Sequence, residues 1–89
     1  MPDLGEPSSY VTLEPGAPVF SSDGKKVGKV HRVVADTVHD IFDGIVVDTS
    51  ILLGKRRFVD AEQVEQIYER GVQLKIDRAA ADALPDTRD

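Results

Sequence analysis

Cysteine is absent from this chain of 89 residues, so neither a disulfide framework nor a thiolate metal site supports the fold. Long apolar runs are absent as well, against the roughly 20 residues a bilayer-spanning helix requires. The opening Met1-Pro2-Asp3-Leu4-Gly5-Glu6-Pro7 has neither a basic start nor an apolar stretch, so it does not read as a secretory leader. A soluble cytoplasmic protein with no membrane insertion is the expectation. Basic residues are in deficit, 11 against 16 acidic ones for a net charge of −5. That balance argues against general nucleic-acid binding, where affinity comes from cations neutralising phosphates. No internal repeat and no linker divides the sequence.

What remains must build one thin core. Domains near this size bury only about 60% of the surface their unfolded chain exposes. Compact β packing, or further burial between identical subunits, is the expected compensation.

Residues 1–15 carry three prolines and three acids with no base and little periodicity, and read as a flexible or loosely docked arm. Tyr10, Val11 and Leu13 are the apolar residues able to pin its end. The folded domain is expected over residues 16–84, with 85–89 a polar tail. Ala17–Ser21 reads as a strand with Pro18 at its start or on an edge. Ser22-Asp23-Gly24-Lys25 supplies the positive φ that a hairpin turn needs. Lys26–Asp36 is the next strand, with Val27 and Val33 in one phase and Val30 and Val34 in the other. A bulge is expected where the phase slips, at Gly28. Phe42–Asp48 is a strand apolar on both faces, hence interior or covered. Arg57-Phe58-Val59 follows as a fourth strand, then one helical turn capped by Asp60. Glu65–Arg70 and Val72–Ile76 are expected to pair across Arg70-Gly71. Asp77 caps a closing helix over 78–84 that Pro85 stops. The pattern predicts an all-β fold, a small six-stranded barrel with a short C-terminal helix.

The order Gly16-x-x-Val19, Ser22-Asp23-Gly24-x-x-Val27-Gly28-x-Val30, Phe42-Asp43-Gly44-Ile45-Val46-Val47, Arg57-Phe58-Val59 and Val64 resembles the PRC-barrel family. That family includes the cytoplasmic barrel of the photosynthetic reaction-centre H subunit and the C-terminal barrel of a ribosome maturation factor. The resemblance covers residues 16 to about 76. It implies a six-stranded barrel used for docking or assembly, here as a free-standing member, with no shared catalytic residues.

The residues themselves offer little chemistry. Gly24-Lys25-Lys26-Val27-Gly28-Lys29 is one residue short of a phosphate loop, has Val30 where a metal-binding hydroxyl belongs, and falls on a hairpin. His39 and Asp43, with Asp36 and Asp40 nearby, offer fewer convergent ligands than a firm metal site needs. His31 reads as a half-exposed strand residue, and no base accompanies Ser21, Ser22 or Ser50. No enzyme activity, cofactor or metal is therefore expected.

Charge is segregated: Lys25, Lys26, Lys29 and Arg32 group together, and Asp36, Asp40, Asp43 and Asp48 follow without a base among them. Ile51, Leu52 and Leu53 beside Lys55, Arg56 and Arg57 combine an apolar tip with cations, a mixture that suits docking. Phe42 and Tyr68 are lesser candidates for exposure. The expectation is a cytoplasmic protein-interaction module, a homodimer by preference, with an unidentified protein partner. The alternative is a ribosome- or RNA-associated factor using Lys25–Arg32 and Lys55–Arg57.

Overall fold

One strand of 11 residues, β2 (Lys26–Asp36), organises the molecule. In the computed structural model, which describes residues 3–49 and 55–87, it lies near the middle of a six-stranded sheet. The other strands are β1 (Pro18–Phe20), β3 (Ile41–Asp48), β4 (Arg56–Asp60), β5 (Val64–Tyr68) and β6 (Gly71–Leu74), and helix α1 is Arg78–Asp82. Their order is β4-β3-β2-β1-β6-β5, antiparallel throughout except for the parallel pair β1–β6. The fold is all-β with one short C-terminal helix.

Extra residues in β2 explain its odd hydrophobic phase. Val19 pairs with Gly28 but Phe20 with Lys26, which leaves Val27 over. Val30 pairs with Val47 but Arg32 with Val46, which leaves His31 over. Each insertion turns the following residues by one face. Val27, Val30 and Val33 therefore all reach the core, three residues apart. Lys26, Lys29 and Arg32 keep the same spacing on the outside. The two phases read from sequence for Val27/Val33 and Val30/Val34 are thus corrected. Val30 joins Val27 and Val33, because a second bulge at His31 accompanies the one expected near Gly28. A third irregularity in β3 leaves Asp43 over, opposite Val34 and Ala35.

The expected closed barrel is not reached by hydrogen bonding, because β4 and β5 form the two edges of the sheet. They are consecutive in the chain and are joined by a 3-10 turn, Ala61–Gln63, capped reciprocally by Asp60 and Gln63. Terminal segments take the edge bonds instead. Along β5, the Ser8 amide donates to the Ile67 carbonyl (2.8 Å), Glu69 to Glu6 (3.0 Å) and Arg70 to Leu4 (2.9 Å). Along β4, Phe58 donates to Pro85 (3.2 Å) and Thr87 to Arg56 (2.8 Å). Unpaired strand edges invite pairing with other chains, and these two are covered from within. The stretch expected as a flexible or loosely docked arm is thus docked from Asp3 onward, with Leu4 buried in the core.

Val19, Val30, Ile45, Val47, Val59, Val72 and Leu74 fill the interior, closed at one end by Ala81 and Leu84 of the helix region. Asp77 caps α1 by accepting from the Ala80 amide at 2.8 Å. β6 and β5 end earlier than their sequence patterns, although Ile76 still packs on the core. Among the described residues Ser21 is the buried polar one in this core. Its hydroxyl donates to Asp23 and its carbonyl accepts from Gln73 Nε2 at 2.7 Å, tying the β1–β2 turn to β6. The Ser21 bond, with amide donors that include Arg78, holds the Asp23 carboxyl below the usual range despite some desolvation.

Candidate interaction surface

The basic run next to the apolar tip enters β4 and divides there. Thr49 donates from its amide to the Lys55 carbonyl at 3.0 Å, closing the base of the β3–β4 connection. Ile51, Leu52 and Leu53 lie outside the described residues. Lys55 is exposed and Arg56 half-buried. Arg56 pairs in register with Asp48, which pairs in turn with Lys29. Directly opposed residues share a face in an antiparallel sheet, so the three make a row of alternating charge.

Arg57 points the other way. Its side chain is only 19% exposed and forms an ion pair with Asp86 at 3.2 Å. Nη1 also donates to the Leu84 carbonyl at 2.5 Å. Arg57 therefore clamps the C-terminal segment on β4 and does not stand beside Lys55 as a free cation. Arg57→Met is expected to cost about 1–3 kcal/mol, mostly from the orphaned Leu84 carbonyl, since the Asp86 pair is solvated. Lys55→Met should stay within about 0.5 kcal/mol. Urea titrations of both variants check this, and equal effects would mean that Arg57 is not a clamp.

The other basic group, Lys25, Lys26, Lys29 and Arg32, is exposed at the start of β2. The acidic group stands at the far end of the same strand pair. Asp36 accepts from the Val38 and His39 amides at 3.1 and 3.2 Å and pairs with His39 Nδ1 at 2.7 Å. The His39 contacts, side chain first, keep the Asp36 carboxyl below its ordinary value. Asp40 takes φ +53°, a left-handed conformation that aspartate tolerates in turns. Its Oδ1 accepts from the Tyr10 hydroxyl at 2.5 Å. That bond, together with repulsion from Asp40 and Asp36, raises the Tyr10 phenol above its usual value. His39 is thus engaged with Asp36 and Asp43 is the bulge residue of β3. Among the described residues no group of three or more His, Asp or Glu is arranged to hold a metal.

Tyr10 belongs to a 3-10 turn, Tyr10–Thr12, which Ser9 caps. Its ring stacks on Phe42 with centroids 5.4 Å apart and planes 9° apart. This stack pins the arm to the β2–β3 hairpin and half-buries Phe42, while Tyr68 is half-buried beside Pro7. Among the described residues the large apolar ones left exposed are Val11 (68%), Val38 (87%) and Ile41 (49%), all on the two segments that the stack joins. Sequence reasoning missed Val38 and Ile41. Val38 sits in a polar connection, and Ile41 fell one residue before the expected strand.

Among the described residues no helix is long and apolar enough to cross a membrane. No curated protein matches the chain. The model of the PRC-barrel domain matches residues 15–81, a span that contains every strand of the sheet, and the chain belongs to the PRC-barrel domain family.

Proposed function

We propose that this PRC-barrel chain is a non-enzymatic, cytoplasmic interaction module that associates with itself. The observation that carries the reading is the exposure of Val11, Val38 and Ile41 at one end of a molecule with a thin core. Small chains gain stability by burying such surface between subunits. The polar groups that would serve chemistry are bound up structurally: the Ser21 hydroxyl with Asp23, His39 with Asp36, and the Tyr10 hydroxyl with Asp40. With both sheet edges covered by terminal segments, the faces and the hairpin end are what remains for a partner. The segment Ile51-Leu52-Leu53 beside Lys55 belongs to the same proposal by its sequence.

Sedimentation from low to high micromolar concentration tests the reading. The expected result is a species of twice the chain mass, and a monomer throughout would remove self-association. A second reading, ribosome or RNA association, draws on the outward spacing of Lys26, Lys29 and Arg32. It requires co-sedimentation with ribosomes that weakens steeply as salt rises, and its absence would dispose of that reading.

A further inference from the structure

The bulges of β2 place residues of opposite charge on one continuous outer face. Lys29 is level with Asp48, Arg32 with Val46 and Val34 with Gly44, and Asp36 with Ile41. Arg56, Phe58 and Asp60 extend the first three of these rows onto β4. Because Ile45, Val47 and Val59 point into the core, the alternate positions Val46, Phe58 and Asp60 face outward. The face therefore begins with exposed Lys26 and Lys29, passes half-buried Val34 and Phe58, which flank a fully buried Val46, and ends at half-buried Asp36 and exposed Ile41. Ten residue steps of β2 separate Lys26 from Asp36, about 30 Å at the usual strand rise. Beyond Asp36 the exposed Val38 and Asp43 continue the acidic, apolar character. Residues 33–54 contain no lysine or arginine.

We infer that this face pairs with the same face of a second copy across a two-fold axis, the lysine half of each on the acidic half of the other. A two-fold contact is self-complementary, so a surface that is basic at one end and acidic at the other fits its own copy in antiparallel array. The half-buried Val34 and Phe58 then lie at the axis, with charge at the rim, as in stable protein interfaces. Lysine side chains cover apolar surface with their stems while the ammonium stays near water. Lys26 and Lys29 thus suit Ile41 and Val38 of the opposite copy as well as its carboxylates. Parallel stacking would set lysine on lysine, which like-charge repulsion penalises. The inference rests on self-association and names the surface that performs it.

Two charge-reversed variants test it. Val38→Lys/Asp43→Lys places two cations in the acidic half, and Lys26→Glu/Lys29→Glu places two anions in the basic half. None of these four side chains takes part in the hydrogen bonds that fix the turns. The parent chain is expected to dimerise, more weakly as salt rises from about 0.05 to about 0.5 M. Each variant alone should associate at least about tenfold more weakly. An equimolar mixture of the two should restore a species of dimer mass, since the new cations of one then meet the new anions of the other. Dimers that persist unchanged in both variants would overturn this surface while leaving self-association standing. Failure of the mixture to recover, or growth into open chains, would overturn the two-fold pairing. A parent that stays monomeric would remove both.

Discussion

Gly44→Ala is expected to remove more than half of the protein's stability at room temperature, and Gly28→Ala somewhat less than half. A Cβ on Gly44 would lie 2.2 Å from the Val59 carbonyl oxygen and 2.6 Å from the Phe58 ring, at a φ of +156° that L residues rarely adopt. A Cβ on Gly28 would lie 2.2 Å from the Asp48 carbonyl oxygen, with no conformational objection of its own. Both obstacles are backbone in a neighbouring strand, so relief requires strands to separate and not merely a rotamer to change. Strain at the one site and overpacking at both make about 3 kcal/mol for Gly44 and about 2 kcal/mol for Gly28. A domain this small has about 5 kcal/mol to lose. Gly24→Ala is the control: its φ is +79°, but nothing lies within 4 Å of the added methyl. It should cost about 1 kcal/mol through backbone strain alone. Thermal unfolding by circular dichroism ranks the three. If Gly44→Ala melts near the Gly24 variant, the approach of β3 to β4 is not what fixes their register.

These glycines show why the architecture was legible. Asp43-Gly44 and Val27-Gly28 mark bulged places where an added Cβ would strike the backbone of the next strand, and glycine at such points is a local signal that survives without any tertiary knowledge. Strand identity, the Asp77 cap and the turn at Asp23-Gly24 were readable for the same reason, since short-range sterics decide them. Sheet closure was not readable. Whether β4 and β5 exchange hydrogen bonds depends on which segments compete for their edges, and the competitors are the two ends of the chain. The second bulge, at His31, was hidden because no glycine marks it. Missing it left Val30 in the wrong phase and concealed the single outward face shared by Lys26, Lys29 and Asp36. The basic run at 55–57 looked like one patch because the expected strand began at Arg57; with Arg56 inside β4, the two side chains leave on opposite sides.

Removal of residues 1–8 is expected to destabilise the chain by about 2–4 kcal/mol and to make it aggregate. Nothing in Asp3-Leu4-Gly5-Glu6-Pro7 announces structure, yet Leu4 is as buried as the core valines' neighbours Ile67 and Leu84. Gly71 makes room for it, since a Cβ there would stand 2.8 Å from Leu4 Cδ2. Losing a buried leucine costs about 2–5 kcal/mol when its site cannot collapse, and the floor of this site is strand backbone. Deletion also exposes β5 carbonyl and amide groups that Ser8, Glu6 and Leu4 now occupy. An uncovered edge pairs with whatever strand it meets. Leu4→Ala separates the two effects, because it empties the socket and keeps the edge bonds. It should lower the urea midpoint and leave the protein monodisperse, whereas the deletion should do both kinds of damage, the aggregation growing with concentration in light scattering. A deletion variant as stable and as dispersed as the parent would mean that the arm neither seals nor supports β5. The distinction matters for assembly. A chain that seals both edges from within has made edge-to-edge growth unavailable, and association through a sheet face can then be finite and specific.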